Sequence, residues 1–443
     1  MFVVDIVCEF CDRRLVRKLG KMKLCTYLLL SFLAVRASPE PRRLPTMQEP
    51  PHHVEFTNDT GAILSCSLHG TTQYELDWLL ADNAPASSLA GLRRILSNGS
   101  LEFPAFPAGR FRRDVHATTY RCRLRLSSGF ALLSKNIHVH AVVNTPWEVH
   151  VPDEYVMTGN AAVLRCVVPT HYTERVDGTD WFTDDDTSVL QFLGSKYSRL
   201  DDGSLYISAV SPRDRYNAFR CRVRDRITGS QHSSKYYGHV IVTEPKGGVR
   251  PRVVMESRAR RVQLGHEARL PCAAHAWPVP SYRWFREHHE QLIPIEKTSM
   301  WSRSTVLGGL LTVREVRRED AGHLVCWLNN TAAGESVHFT LLVTEPISVR
   351  IKPEMLRTKL NANASFDCKV TGHPIEVIYW IHNGRPMKPS DRVRVSEDGY
   401  RLHIKNSQEV DEGFYQCFAS NTRDQAYGIT EYLIDASESA KKA

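Results

Sequence analysis

Residues 368–417 open on Cys368 in CKVTGHPIEVIYW, reach Trp380 at an offset of 12, and close on DEGFYQC, with Tyr415 two places before Cys417. In an immunoglobulin sandwich a disulfide joins strands B and F across the two sheets. A strand-C tryptophan packs against it, and a tyrosine at the E–F corner bonds back to the backbone. The frame recurs three times upstream. The cysteines pair by spacing as Cys66/Cys122, Cys166/Cys221, Cys272/Cys326 and Cys368/Cys417, at separations of 56, 55, 54 and 49. Trp78, Trp181, Trp284 and Trp380 follow the first cysteines at offsets of 12, 15, 12 and 12. Tyr120, Phe219, Leu324 and Tyr415 occupy the corner position; Phe219 and Leu324 keep the packing and lose the hydroxyl bond.

Marks that flank the frame keep step with it. A turn precedes alternating apolar residues in each repeat: Asn98-Gly99 before Leu101 and Phe103, and Asp202-Gly203 before Leu205 and Ile207. Further on, Gly308-Gly309 precedes Leu311 and Val313, and Asp398-Gly399 precedes Leu402 and Ile404. Period-two alternation puts these residues on the core face of strand E. The expected fold class is all-β, four tandem immunoglobulin-like sandwiches of I-set-like type. The same ruler places a leader at 1–37 and domains at 45–143, 144–245, 246–346 and 347–436. Pro245-Lys246-Gly247-Gly248 is the one junction with paired glycines, which permit backbone angles other residues avoid. It reads either as a sharp bend between the second and third domains or as an ordinary flexible joint.

The leader carries a 12-residue apolar run, Leu24 to Val35, after Lys21 and Lys23, with small residues at Val35-Arg36-Ala37. That is a signal peptide cleaved after Ala37, and it is too short to span a bilayer. Met22 sits where such a peptide ordinarily begins, so the start lies at Met1 or Met22. Three cysteines (Cys8, Cys11, Cys25) fall in the leader, and the even remainder reads as disulfides of an exported chain. No later stretch is apolar enough to cross a membrane. The chain therefore reads as secreted, or as the extracellular part of a longer receptor. The formal net charge of +8 resides in good part in the leader, with seven Lys/Arg against three acids, and offers no concentrated basic stripe for nucleic acid.

No catalytic set is present. His288-His289-Glu290 lacks the i, i+4 histidine pair of a zinc-protease helix. Cys8 and Cys11 form a single half-site, Asp184-Asp185-Asp186 reads as a solvated loop, and no serine sits in a nucleophile elbow. The expectation is a binding protein, with no enzyme activity, cofactor or metal. Four sequons, at Asn58, Asn98, Asn329 and Asn363, are expected to carry N-glycans, and the second domain has none. Arg258-Ala-Arg260-Arg261, with Arg317-Arg318, reads as an edge strand blunted by charge in preference to a sulfated-glycan patch.

HVHAVV (138–143), IVTEPKGGVRPRV (241–253), WPVPSYRW (277–284), CWLNNTAAGESV (326–337), VTEP (343–346) and YQCFASN (415–421) resemble the first four immunoglobulin domains of the Down syndrome cell adhesion molecule (Dscam) family. The resemblance implies a horseshoe, first domain on fourth and second on third, with the bend at Pro245 to Val249. It implies homophilic adhesion in neuronal self-recognition or axon guidance, and in some lineages immune recognition. Full-length members carry further immunoglobulin domains, fibronectin repeats and a membrane span. The family's self-binding edges map onto Val151 to Met157 and Met255 to Val262. The candidate contact is Asp153, Glu154, Tyr155, Val156 and Met157, an unpaired edge forming a weak dimer. On the second edge three arginines would oppose self-association. A secreted hemolin-like immune protein and a soluble decoy fragment of a receptor are the competing readings.

Each expected bridge closes a loop of about 50 residues, a constraint on the unfolded chain of roughly 4 kcal/mol. Non-reducing peptide mapping is expected to recover four bridges between consecutive cysteines of the eight. A bridge joining different domains would refute the four-sandwich frame.

Overall fold

Four separate apolar cores form, each holding one Cys…Trp…Cys set: Cys66, Trp78 and Cys122; Cys166, Trp181 and Cys221; Cys272, Trp284 and Cys326; Cys368, Trp380 and Cys417. They are seen in a computed structural model that describes residues 44–69, 73–189, 196–245, 247–254 and 258–435. The leader, Lys246 and Met255 to Ser257 lie outside the described residues. Each cysteine pair is bridged, with Cα separations of 6.5, 5.9, 6.4 and 6.2 Å. The strand-E residues Leu101 and Phe103, Leu205 and Ile207, Leu311 and Val313, and Leu402 and Ile404 are all buried.

One topological rule holds in every domain. The early strands His53–Thr57, Glu154–Met157, Ala259–Gln263 and Met355–Lys359 run parallel to the last strands Ile137–Val142, Gly238–Thr243, Gly334–Lys352 and Gln425–Asp435. The longer spacing from Cys166 to Trp181 is taken up by a 3₁₀ segment, Thr170–Arg175. There Arg175 pairs with Asp225 inside the protein.

The turn before strand E has a use that period-two alternation does not reveal. Trp78, Trp181 and Trp380 each donate their indole N–H to the glycine carbonyl of that turn: Gly99 at 2.8 Å, Gly203 at 2.8 Å and Gly399 at 2.9 Å. In domain 3 the turn is Gly308-Gly309, and the Gly309 carbonyl instead accepts from the Cys272 N–H at 3.0 Å. The Trp284 N–H has no hydrogen-bond partner. The corner hydroxyls of Tyr120 and Tyr415 donate to the Val115 and Asp411 carbonyls at 2.9 and 2.7 Å. In domains 2 to 4 an aspartate at this corner also takes a strand-D cation: Asp214 with Lys196, Asp320 with Arg303, Asp411 with Arg392.

The chain folds back on itself as a horseshoe because two pairs of domains have sheet faces buried on both sides. In domain 4, Gly413–Ser420 sends Tyr415 and Cys417 into its own core and Phe414, Gln416 and Phe418 toward domain 1, and all five are buried. Leu79 and Leu133 of domain 1 meet Ile381 and Phe418 in one apolar cluster. At its edge the Gln416 amide donates to the Leu133 carbonyl at 2.8 Å and accepts from the Leu133 N–H at 2.9 Å. Between domains 2 and 3 the Asn160 amide does the same for Ala276, at 2.9 and 3.0 Å. Beside it Ala161, Val163, Leu200 and Tyr206 pack on Ala273 and Leu310.

The paired glycines do not make the bend in the way expected. A Cβ on Gly247 or Gly248 would meet no atom within 4 Å, and Gly248 keeps φ outside the left-handed region. Packing of domain 2 on domain 3 sets the reversal. Close approach matters instead at Gly159, with φ +84, where a Cβ would fall 2.5 Å from Val279 of domain 3. The domain 3–domain 4 junction is different in kind: a single strand, Gly334–Lys352, runs through it for 19 residues.

Gln416→Leu keeps the volume of the side chain and strands two buried backbone groups, a cost of about 2–4 kcal/mol against the closed seam. Small-angle scattering is expected to show a larger radius of gyration for the variant, with all four disulfides retained. An unchanged radius would mean that the apolar cluster, with the bond from the Asn136 N–H to the Gln425 amide oxygen, holds the seam without Gln416.

Candidate functional site

The parallel pairing of Glu154–Met157 with Gly238–Thr243 makes it the terminal strand of its sheet, so its outer side carries no strand among the described residues. A strand in that position presents backbone donors and acceptors to another chain. Asp153 pins its start, accepting from the His239 N–H at 2.8 Å. That bond, with the His239 ring, holds the Asp153 carboxyl below the usual carboxylate range.

The five candidate residues do not act alike. Tyr155 is 66% exposed and lies opposite Ile241, on the outer face of the sheet. Val156 is 0% exposed and belongs to the core of domain 2, so its side chain is unavailable to a partner. Glu154 turns toward domain 3. Its carboxylate lies 3.9 Å from His275 Nε2, too far for a hydrogen bond, in a cleft shared with Arg165 and Arg252. Burial pushes Glu154 up, opposed by Arg165, and pushes His275 down. Met157 is half-buried, and its carbonyl accepts from Asn160 at 3.2 Å. Of the five candidates, Tyr155 and the strand's outer backbone are the groups that face away from the core and from domain 3.

Elsewhere on domain 2, arginines stack on aromatic rings at the surface. Arg222 stacks over Phe182 at 4.4 Å, Arg220 over Tyr237 at 5.8 Å, and Tyr236 stands exposed. Tyr and Arg are the residue types that dominate protein interfaces. Sequence reasoning passed over these because Arg220, Arg222 and Arg224 look like ordinary outward positions of strand F. Phe182, directly after the core Trp181, was the available signal.

On the second expected edge, Met255 to Ser257 lie outside the described residues. Arg258 and Arg261 are exposed, but Arg260 is buried and its charge acts on Asp201 of domain 2. The row of three repelling arginines is therefore broken. Among the acids read as a solvated loop, Asp185 accepts from the Thr187 N–H at 3.1 Å and Asp186 pairs with Arg220. Among the described residues no group of three His, Cys, Asp or Glu is placed to hold a metal ion. No helix there is long and apolar enough to cross a membrane.

Three sequon asparagines, Asn98, Asn329 and Asn363, are exposed. Asn58 is half-buried at the domain 1–domain 2 junction. It donates to the Phe106 carbonyl at 3.0 Å and accepts from the Asn144 N–H at 2.7 Å.

Comparison with known proteins places this geometry. An immunoglobulin I-set domain model matches residues 347–429, and a general immunoglobulin domain model matches residues 250–330. The chain is 32% identical over 393 residues to the cell adhesion molecule Dscam1 of Drosophila melanogaster, covering 88% of this chain and 19% of that protein. It is 28% identical over 383 residues to the human cell adhesion molecule DSCAM, covering 86% of this chain and 18% of that protein. It thus spans about a fifth of the length of these cell adhesion molecules. The crystal structure of the N-terminal four immunoglobulin domains of Dscam1 isoform 6.9 superposes with a TM-score of 0.78 at 32% identity. That match covers 88% of this chain and 99% of that one.

The split between Tyr155 and Val156 is directly measurable. Tyr155→Asp is expected to change domain stability by under about 0.5 kcal/mol, as at other exposed sites. Val156→Asp places a carboxylate in the core and is expected to cost more than about 3 kcal/mol. Thermal unfolding distinguishes them, and equal losses would mean that Tyr155 is not a surface residue.

Proposed function

As the chain belongs to the Dscam family of immunoglobulin-domain cell adhesion molecules, we propose that it is an extracellular recognition module that binds a second copy of itself through domain 2. The observation that carries this is Tyr155, exposed on a terminal strand with no further strand of its sheet beside it among the described residues. Two such edges laid antiparallel across a two-fold axis would complete each other's hydrogen-bond ladder, with the two tyrosines at or near the axis.

Glycan placement supports the same face. Glycans on Asn98, Asn329 and Asn363 would lie on domains 1, 3 and 4 and leave domain 2 bare. Asn58 is the poorest acceptor of the four, because its amide is already bonded within the junction. The module works by binding alone and catalyses nothing. As part of a longer receptor it would serve neuronal self-recognition or axon guidance.

A single edge contact buries less than a standard interface, so self-association is expected to be micromolar or weaker. Sedimentation of the full chain over a concentration series is expected to show a reversible dimer, abolished by Tyr155→Asp. A strict monomer at the highest concentrations would refute homophilic binding and favour a secreted, hemolin-like binder of other molecules.

A further inference from the structure

Where domain 4 docks on domain 1 the two leave an open cleft of about 630 Å³ along their seam, within the size range of ligand sites. Its domain 1 wall carries Arg123 and Arg125, and its domain 4 wall carries Arg385, Lys388 and Arg392. Docking itself brings these walls together. Gly384, at φ +68, lets the domain 4 turn lie against domain 1, where a Cβ would stand 3.0 Å from Arg123 Cδ and 3.5 Å from Ala131 Cβ.

Three carboxylates answer these five cations. Asp77 takes Arg123 at 2.8 Å and Arg125 at 2.7 Å, and Glu75 reaches Arg125 at 3.5 Å. Asp411, the one carboxylate lining the cleft, is held by Arg392 at 2.8 Å and by the Gln408 N–H at 2.8 Å. Arg385 and Lys388 are exposed and make no ion pair among the described residues. The cleft therefore keeps an excess of positive charge in an open, polar space.

We propose that this cleft binds a sulfated polysaccharide, laid across the domain 1–domain 4 seam with its sulfates on Arg385, Lys388 and the solvent side of Arg125. Guanidinium and ammonium groups match tetrahedral oxyanions through charge-assisted hydrogen bonds, and an open cleft admits a polymer that an enclosed pocket would exclude. Because the chain touches both domains, it selects the closed horseshoe and favours closure by mass action. The site is separate from the Tyr155 edge and stands whether or not that edge mediates self-binding.

The probe is a size-defined heparin oligosaccharide titrated into the full chain, with the desulfated oligosaccharide and inorganic sulfate as comparisons. Binding is expected for the sulfated oligosaccharide alone, and it should weaken as salt rises. Arg385→Glu with Lys388→Glu is expected to weaken it by about tenfold or more. Arg314→Glu with Arg317→Glu removes the same charge from exposed positions on domain 3, and should change binding by under about twofold. Equal losses in the two double variants, equal binding of the desulfated sugar, or no binding at physiological salt would each overturn the proposal. Inorganic sulfate competing as well as the oligosaccharide would reduce the cleft to a simple anion site and overturn it too.

Discussion

Two side-chain amides hold this arrangement in register. Gln416 with Leu133, and Asn160 with Ala276, each pair a primary amide with both backbone groups of one residue on the facing domain. Apolar contact between sheet faces is non-directional and would tolerate sliding. A buried N–H and C=O that find their partners in only one alignment do not tolerate it, because misalignment leaves polar groups unsatisfied. The apolar clusters supply the attraction and the amides supply the register. The same device serves both pairs of domains with unrelated surroundings.

The fold was legible because its marks are local and repeated. A cysteine, a tryptophan at offset 12 or 15 and a second cysteine are set by the thickness of one sandwich, and four copies leave little room for another reading. Positions where domains meet carry no such period. Gln416 sits between Phe414 and Phe418, which period-two alternation assigns to solvent, and Tyr206 sits in the same way between Leu205 and Ile207. Strands apolar on both faces were the available signal that a second domain covers them. The paired glycines at the bend misled for the opposite reason. They stand out in the sequence, yet the backbone there asks nothing that only glycine can give.

The candidate edge was legible as a location and not as a set of roles. Alternation alone separates Val156 from Tyr155, but Glu154 turns toward His275 because of where domain 3 lies, which no property of the segment foretells. Domain 3 shows the converse. Its Trp284 N–H goes without a hydrogen-bond partner, while the Tyr206 hydroxyl arriving from domain 2 accepts from the Gly309 N–H at 3.2 Å. The turn that meets a tryptophan in the other three domains meets the neighbouring domain here.

The strand that passes from domain 3 into domain 4 makes the two limbs of the molecule mechanically unequal. Gly334–Lys352 is hydrogen-bonded to domain 3 along its first half and to domain 4 along its second, so a pull on one of these domains is transmitted to the other as tension in a continuous β-ladder. Among the described residues the passage from domain 2 to domain 3 has no such tie rod, its strands being Gly238–Thr243 and Val249–Val253. Under tension, load on domain 4 passes to domain 3 through this ladder and must be absorbed at the seams. The limb formed by domains 3 and 4 then behaves as a lever, and domains 1 and 2 as the part that yields.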